Sequence, residues 1–342
     1  MDTEPGFNQT IQFFLDRPEI LYDGHQFTKQ FTFTTNQFWD ESSEGLWTLQ
    51  ALDTGIRDGQ RATIDDWRLN IYGTCCEESP LEVTSLAHPF ASLNNFAELA
   101  LEAGGLSPDM YTMNHFNQVG EDLSMGVFNN GFASNLPLDQ GLLFTSGKLA
   151  DAVGPNDNPN TSTNWGGPGH DLLDGLTEET TYDASGLEIY FTPNQNAVIS
   201  YDYLFGSEEF DEWVGSVYND GAGIFITALK SPTDDYPNGF TPVNIAKTFN
   251  GGNLTLNDLA ANNGSGDVFG KYYDPNPICG DMNWEYDGSS LLSQSQNITL
   301  KAGANYYIGM MVADSSDHIY DSALAIELDS NDGNIGNLLD LA

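Results

Sequence analysis

Apolar and polar residues alternate with a period of two along much of the chain, and this pattern predicts β-strands. In GLEIYF, residues 186–191, one face carries Leu187, Ile189 and Phe191. The same alternation predicts three further buried faces: Ile199, Tyr201, Tyr203 and Phe205; Tyr306, Ile308, Met310 and Val312; and Leu324, Ile326 and Leu328. Short strands separated by long connections predict an all-β protein, with residues 84–330 forming a β-sandwich or jelly roll.

Residues 1–74 show the same alternation and are predicted to form a second β-rich module. Phe31 and Phe33 share one face of a strand, and Trp67, Leu69 and Ile71 share a face of another. One apolar face per strand is typical of a half-buried antiparallel sheet. Residues 75–83 break the pattern and are predicted to be a linker between the two modules.

One segment has helical rather than strand periodicity. NNFAELALEAGG, residues 94–105, is predicted to be a short helix at the periphery of a sheet, capped by Asn94 or Asn95 and ended by Gly104 and Gly105. Residues 153–175 are polar and rich in Gly, Pro and Asn. That length predicts either a functional loop or a mobile one. Residues 331–342 are predicted to be an acidic tail that links to a further domain.

The charge balance is strongly negative. The 342 residues include 50 Asp and Glu against 10 Lys and Arg, a net charge of −40. Repulsion at this density destabilises a compact state unless salt or bound cations reduce it, which predicts an extracellular or cell-surface location. The scarcity of Lys and Arg argues against a nucleic-acid partner. No apolar run approaches the roughly 18 residues of a membrane span, so no membrane insertion is predicted.

The three cysteines, Cys75, Cys76 and Cys279, exclude a zinc ribbon, since no CxxC pair occurs. Two alternatives stay open for them. They are unpaired, or one of the adjacent pair forms a disulfide with Cys279.

Acidic residues gather beside two of the predicted strands, in LFGSEEFDEWVGSVYNDGAGIFI (204–226) and VADSSDHIYDS (312–322). If these strands are neighbours, both groups reach one end of the sandwich. Hard oxygen ligands in flexible loops favour Ca²⁺ over zinc or copper. The predicted metal ligands are Glu208, Glu209, Asp211, Asn219, Asp220, Asp314, Asp317 and Asp321. The alternative is a solvated acidic rim on a salt-adapted surface.

Aromatic residues in the predicted loops suggest a ligand-binding surface. Stacking on exposed rings beside a metal site would suit an extracellular glycan or a peptide. The predicted ligand-binding residues are Trp165, His170, Trp213, Tyr218 and Trp284. The alternative is that these rings pack beneath their own loops.

The sequence argues against catalysis. Glu208 and Glu209 are adjacent on a strand, so their side chains point to opposite faces and do not flank one glycosidic bond. No histidine lies beside a serine in a nucleophile-elbow sequence, and no phosphate-binding loop is present. The chain is predicted not to be an enzyme.

Two families are recognisable from longer stretches. FWDESSEGLWTLQALDTGIRDGQRATIDDWRLNIYGT (38–74) resembles the C-terminal half of a P domain (P/Homo B), the jelly-roll module that follows subtilisin-like catalytic domains in proprotein convertases. The segments that carry this resemblance are Phe38–Ser42, Gly45–Leu49 and Trp67–Gly73. The N-terminal part of the module is shorter than in the family.

Residues 90–330 resemble the choice-of-anchor L domain. GLLFTSGKLADAVGPN, YDASGLEIYFTP, the acidic segment 204–226, YDGSS and VADSSDHIYDSALAIEL follow the family pattern in order. This resemblance implies a secreted or surface-exposed bacterial module with further domains on either side and a structural or adhesive role. The P-domain resemblance implies an alternative, the C-terminal accessory region of an extracellular subtilisin-like serine protease.

Overall fold

A computed structural model describes residues 81–89, 91–210, 212–231, 233–234, 236, 240–248, 251–259, 273–277 and 280–328. The chain divides into two compact units, Met1–Cys76 and Glu77–Ala342, and every described residue belongs to the second. The predictions for residues 1–74, the three cysteines and the tail 331–342 therefore lie outside the described residues.

The described part is built mainly from strands. These are β1 Glu82–Ser85, β2 Tyr111–Val119, β3 Met125–Asn129, β4 Gly141–Thr145, β5 Thr181–Pro193, β6 Ala197–Ile199, β7 Asp202–Ser207, β8 Gly221–Leu229, β9 Val243–Asn244, β10 Leu254–Thr255, β11 Tyr273–Pro275, β12 Gly288–Ser290, β13 Ser293–Gln294, β14 Ile298–Leu300, β15 Asn305–Ser315 and β16 Ser322–Glu327. The α-helices are α1 Leu93–Glu102, α2 Asp171–Thr177 and α3 Leu256–Leu259. Three short 3₁₀ turns lie at Pro108–Met110, Phe132–Ser134 and Leu149–Ala152.

The strands form two large antiparallel sheets, which confirms the predicted all-β class. Within the described ranges, an eight-stranded sheet has the order β1-β3-β4-β16-β7-β12-β11, with β13 also paired to β7. A six-stranded sheet has the order β10-β8-β15-β5-β2, with β9 also paired to β8. Strands β6 and β14 pair separately.

The main hydrophobic core lies between the two large sheets. The four buried faces predicted above lie on β5, on β6 and β7, on β15, and on β16 with Leu328. All of their apolar side chains belong to this core, as the period-two pattern predicts. The opposite faces are also covered. Leu204, Trp284 and Tyr286 pack outside the eight-stranded sheet, whereas Tyr190 and Tyr307 pack outside the six-stranded sheet beneath α2.

Three local predictions are corrected. The cap of α1 is Ser92, whose hydroxyl accepts a hydrogen bond from the backbone N–H of Asn95, rather than Asn94 or Asn95. The helix is not peripheral, because Phe96 and Leu99 are buried in the main core. The predicted linker 75–83 ends earlier than expected, since β1 begins at Glu82 and pairs with β3.

The predicted loop 153–175 contains the start of a helix. His170 caps α2, and its Nδ1 accepts a hydrogen bond from the N–H of Leu172. Leu173 and Leu176 then pack against the six-stranded sheet. The apolar spacing within HDLLDGLT was too short to stand out from the polar sequence around it.

Candidate metal centre

Several strands of both sheets begin or end at one edge of the sandwich. In the six-stranded sheet Gly221 pairs with Ala313, so Asp220 and Asp314 follow at neighbouring positions. In the eight-stranded sheet Ser207 pairs with Ser322, so Glu208 and Asp321 occupy the next positions. The N–H of Glu208 donates to the carbonyl of Asp321 at 3.1 Å. Like charges directly opposite on neighbouring strands are destabilising unless something compensates them.

The first group of acids, here called the inner cluster, consists of Glu209, Asp220, Asp314 and Asp317. Asp220 is fully buried, and both of its oxygens accept hydrogen bonds, from the N–H of Ser315 at 2.8 Å and the hydroxyl of Ser322 at 2.7 Å. Ser315 ends β15 and Ser322 begins β16, so this carboxylate connects the two sheets.

Glu209 and Asp314 are buried but lack comparable hydrogen bonds. Both side chains are 0% exposed, and none of their carboxylate oxygens has a hydrogen-bond partner within normal geometry. The hydroxyl of Ser146 lies close enough to Asp314 to favour its charged form slightly. No Lys or Arg among the described residues forms a salt bridge with Glu209, Asp220 or Asp314. Burying such groups without compensation is costly.

The inner cluster therefore retains protons at pH values where carboxyls normally lose them. Burial, followed by the charges of Asp220 and Asp317, raises the pKa of Glu209 to about 10. Burial also raises the pKa of Asp220 and of Asp314 well above the usual range, and the charge of the nearby Asp321 raises both further. Asp317 is less enclosed, and burial raises its pKa while the N–H of Ile319 lowers it.

A second group of acids, here called the outer row, consists of Glu208, Asp287 and Asp321. Ser207 pairs with Gly288 of β12 on one side and with Ser322 of β16 on the other, so Glu208 lies between Asp287 and Asp321. Sequence reasoning missed Asp287 and its neighbour Glu285. The available signal was the alternation of aromatic and acidic residues in WEYD, just before β12.

Glu208 and Glu209 lie in the turn after β7, and apart from Glu212, which is near both, different acids surround each of them. Glu208 is 1% exposed, and burial followed by the charges of Asp287, Glu285 and Asp321 raises its pKa to about 10. Burial likewise raises the pKa of Asp321 to about 7, although the N–H of Thr163 opposes this. Six of the eight predicted ligands therefore fall into two groups, four of them in the inner cluster and two, Glu208 and Asp321, in the outer row.

Two of the remaining predicted ligands have different outcomes. The side chain of Asn219 donates to the carbonyl of Thr177 and accepts from the N–H of Asn257, so it ties α2 and α3 to the start of β8. Asp211 lies outside the described residues.

The predicted ligand-binding aromatics are scattered. Trp213 is 36% exposed and lies 5.0 Å, between ring centroids, from Tyr218 and 6.2 Å from Tyr320. Trp165 donates its indole N–H to the carbonyl of Gly147 at 3.1 Å. His170 stacks on Tyr236 on the outside of the six-stranded sheet, with Nε2 3.6 Å from a carboxylate oxygen of Glu188.

Trp284 requires a correction. Its ring is 1% exposed, contacts Tyr286 edge-on, and packs where a Cβ at Gly206 would otherwise lie. The ring therefore offers no face to a ligand. For this residue the alternative interpretation is the correct one, in which the ring is packed inside the protein.

Asp183 was not predicted, yet it organises the loop beside this edge. Its carboxylate accepts from the N–H groups of Trp165 and Gly167 and lies 3.0 Å from Nδ1 of His318. These local backbone contacts depend on how the loop folds over the sheet, which no pattern in the sequence specifies.

Within the described ranges, no set of three or more His, Cys, Asp and Glu side chains is placed to hold one metal ion. A cation at either group of acids would therefore need carbonyl, hydroxyl or water oxygens among its ligands. Ca²⁺, which accepts about six to eight oxygens of these kinds, tolerates such a site better than Zn²⁺ does. In the same part of the chain, no helix is long and apolar enough to cross a membrane.

Comparisons with known proteins confirm both family resemblances. The choice-of-anchor L domain model matches residues 100–332, and the proprotein convertase P-domain model matches residues 14–71. Both are non-catalytic accessory domains of families that are typically extracellular. Furin-like protease 2 of Drosophila melanogaster is 31% identical over 109 residues, which cover 26% of this chain and 6% of that protease. No solved structure matches the chain.

Proposed function

This chain belongs to the choice-of-anchor L domain family, and on that premise we propose that it is a non-catalytic, secreted or cell-surface bacterial module stabilised by calcium. The inner cluster holds the ion, and the loops beside it bind an extracellular glycan or peptide in an adhesive role. The family supplies the extracellular setting, whereas the ion and the ligand are inferred from side chains of this chain.

The observation that carries the calcium proposal is the burial of the Glu209 and Asp314 carboxylates without compensating cationic groups in the part of the chain that the structure describes. Both carboxylates are buried beside the buried Asp220, Glu209 without a hydrogen-bond partner and Asp314 with the Ser146 hydroxyl as its one close donor, and no cationic side chain among the described residues pairs with them. Either protons or a cation must compensate these groups. In calcium-rich surroundings at neutral pH, Ca²⁺ competes with the protons and keeps the carboxylates charged.

Calcium is therefore expected to stabilise the protein. At about 100 times its Kd, the ion would add about 2.7 kcal/mol to the free energy of unfolding, a rise in Tm of about 5–10 °C. Thermal melts at neutral pH in calcium and in EDTA measure this difference. The isosteric variant Glu209→Gln should remove most of it.

Asp202→Asn, at the opposite end of β7, is the matched control and should respond to calcium like the unaltered protein. Equal Tm values in calcium and in EDTA, with no bound calcium detected, would refute calcium stabilisation.

The ligand-binding part of the proposal is supported by an exposed apolar patch next to the inner cluster. Val217 and Ile319 are 52% and 43% exposed, and the ring of Trp213 contacts Tyr218 and Tyr320, the residues that follow them in the chain. The hydroxyl of Ser316 donates to the carbonyl of Val217, which joins the two loops that carry the patch. An exposed indole offers the flat surface on which sugar rings and peptide side chains pack.

Binding to glycan and peptide arrays should depend on Trp213. We expect Trp213→Ala to weaken binding about tenfold or more, as the loss of an aromatic anchor commonly does. Phe132→Ala is the control, because Phe132 is 60% exposed but lies in the 3₁₀ turn before β4 rather than beside the inner cluster. Unchanged binding by Trp213→Ala would place the ligand elsewhere.

A second candidate function is supported by the P-domain match and by the partial similarity to a furin-like protease. In that case the chain is the C-terminal accessory region of an extracellular subtilisin-like serine protease. The coding sequence upstream of Met1 distinguishes the two. An in-frame peptidase domain with Asp, His and Ser catalytic residues would favour the accessory role, whereas adhesion modules would favour the first proposal.

A further inference from the structure

We infer that the outer row forms a second divalent-cation site, centred on Glu208 rather than on the inner cluster, and that its ion fastens residues 156–163 to the edge of the eight-stranded sheet. These residues are here called the covering segment. The inference rests on Glu208 and its surroundings and does not require that the inner cluster bind calcium.

Strand register places the three carboxylates of the outer row side by side. Strand β7 lies between β12 and β16, and Glu208 directly follows the position where Ser207 pairs with both neighbours. Residues at matching positions on adjacent strands project to the same face. Three acids in a row across three strands repel one another, and the repulsion is strongest at the middle one.

The covering segment holds both ends of this row but not its centre. The amide of Asn156 donates to Oδ1 of Asp287 at 2.8 Å, and the N–H of Thr163 donates to both oxygens of Asp321 at 2.9 and 3.0 Å. The hydroxyl of Thr161 donates to Oε1 of the adjacent Glu285 at 2.6 Å.

Glu208 lies between these contacts and is only 1% exposed, yet neither of its carboxylate oxygens has a hydrogen-bond partner. A buried carboxylate left unpartnered where its neighbours are each held by the same segment indicates a missing ligand.

The surroundings favour Ca²⁺ among the divalent cations. The carboxylates of Asp287, Asp321 and Glu285 and the hydroxyl of Thr161 lie around Glu208, and hard oxygen ligands of this kind suit Ca²⁺. No three acidic side chains in the described ranges converge on one point. The ion would therefore be held by Glu208 with one neighbouring carboxylate, completed by oxygens of the covering segment and by water. The competing occupant is a proton on Glu208.

Calcium titration of the full chain by calorimetry, with hydrogen exchange of the covering segment, tests this inference. Glu208→Gln and Glu209→Gln are a matched pair, since they are adjacent and isosteric and each removes one ionisable carboxyl group. Glu208→Gln should bind one calcium ion fewer than the unaltered protein and should lose the calcium-induced slowing of exchange, about tenfold or more, in residues 156–163. Glu209→Gln should keep that slowing.

The outcomes separate this inference from the proposed function. If Glu208→Gln keeps full calcium binding and full protection of the covering segment, the second site is refuted, whatever Glu209→Gln does. If only Glu209→Gln leaves binding unchanged, the inner-cluster proposal fails and the second site stands. Asp287→Asn provides an independent variant and should weaken protection of the same segment. A proton on Glu208 as the sole occupant predicts no calcium effect on exchange there, which would also overturn the inference.

Discussion

Raising the pH of the calcium-free protein from about 5 to about 8 is expected to lower its Tm by about 10 °C. The pKa values of Glu208 and Glu209 are each raised from 4.5 to about 10 by burial and neighbouring acids. The folded state therefore keeps protons that the unfolded chain releases. The stability contributed by these protonated groups is complete below the unfolded pKa and is lost as the pH rises toward the folded pKa. One pKa unit corresponds to about 1.4 kcal/mol, so even a fraction of these shifts amounts to several kcal/mol.

Thermal melts in EDTA across this pH range measure the loss. The double variant Glu208→Gln with Glu209→Gln serves as the control, because its neutral amides have no proton to lose and its Tm should depend less on pH. If the Tm in EDTA is as high at pH 8 as at pH 5, at the same ionic strength, the burial of both carboxyls is contradicted.

Calcium should counteract the effect of pH, since the ion and the protons compete for the same oxygens. The increase in Tm on adding calcium is therefore expected to be larger at about pH 8 than at about pH 5. Monovalent salt at the same ionic strength is the control, because it screens the net charge of −40 without binding the carboxylates and should not reproduce the calcium effect.

Replacing Trp284 by alanine is expected to destabilise the fold by about 3–5 kcal/mol, a loss of about 10 °C in Tm. Trp284 is among the largest fully buried side chains, and it fills the space above Gly206 in β7. It also precedes Glu285, so its packing fixes the chain that leads to the outer row. Chemical denaturation of the calcium-free protein gives the free energy of unfolding directly.

Trp213→Ala is the matched comparison for this variant. Its ring is 36% exposed, so removing it should cost about 1 kcal/mol or less in stability while weakening ligand binding. Equal destabilisation by the two substitutions would show that Trp284 is not the buried anchor of the outer face.

The sequence predicts the inner cluster more completely than it predicts the outer row. The sequence predicts that Asp220 and Asp314 reach one end of the sandwich if their strands are neighbours, and β8 and β15 do pair, which places the two residues at neighbouring positions. The pairing of β7 with β12 was not predictable from either segment, so Asp287 and Glu285 were missed. Strand β12 has only three residues, Gly288–Ser290, and carries no apolar alternation.

The aromatic residues show a similar limit. Sequence reasoning placed Trp213 and Trp284 together as loop residues, since both follow acidic or polar segments. Their environments differ because Trp284 lies over a glycine of a neighbouring strand, whereas the ring of Trp213 contacts two residues of surface loops, Tyr218 and Tyr320. Such a difference depends on contacts between distant segments.

The sequence by itself determined the all-β class, the buried faces of the long strands, the two families and the excess of acid over base. These follow from local periodicity, composition and ordered motifs, which need no knowledge of long-range pairing. Only the tertiary structure decided that neighbouring glutamates face two different groups of acids, and that the segment 156–163 covers one of them. That outcome depends on strand register, because a shift of one residue reverses which face each side chain takes.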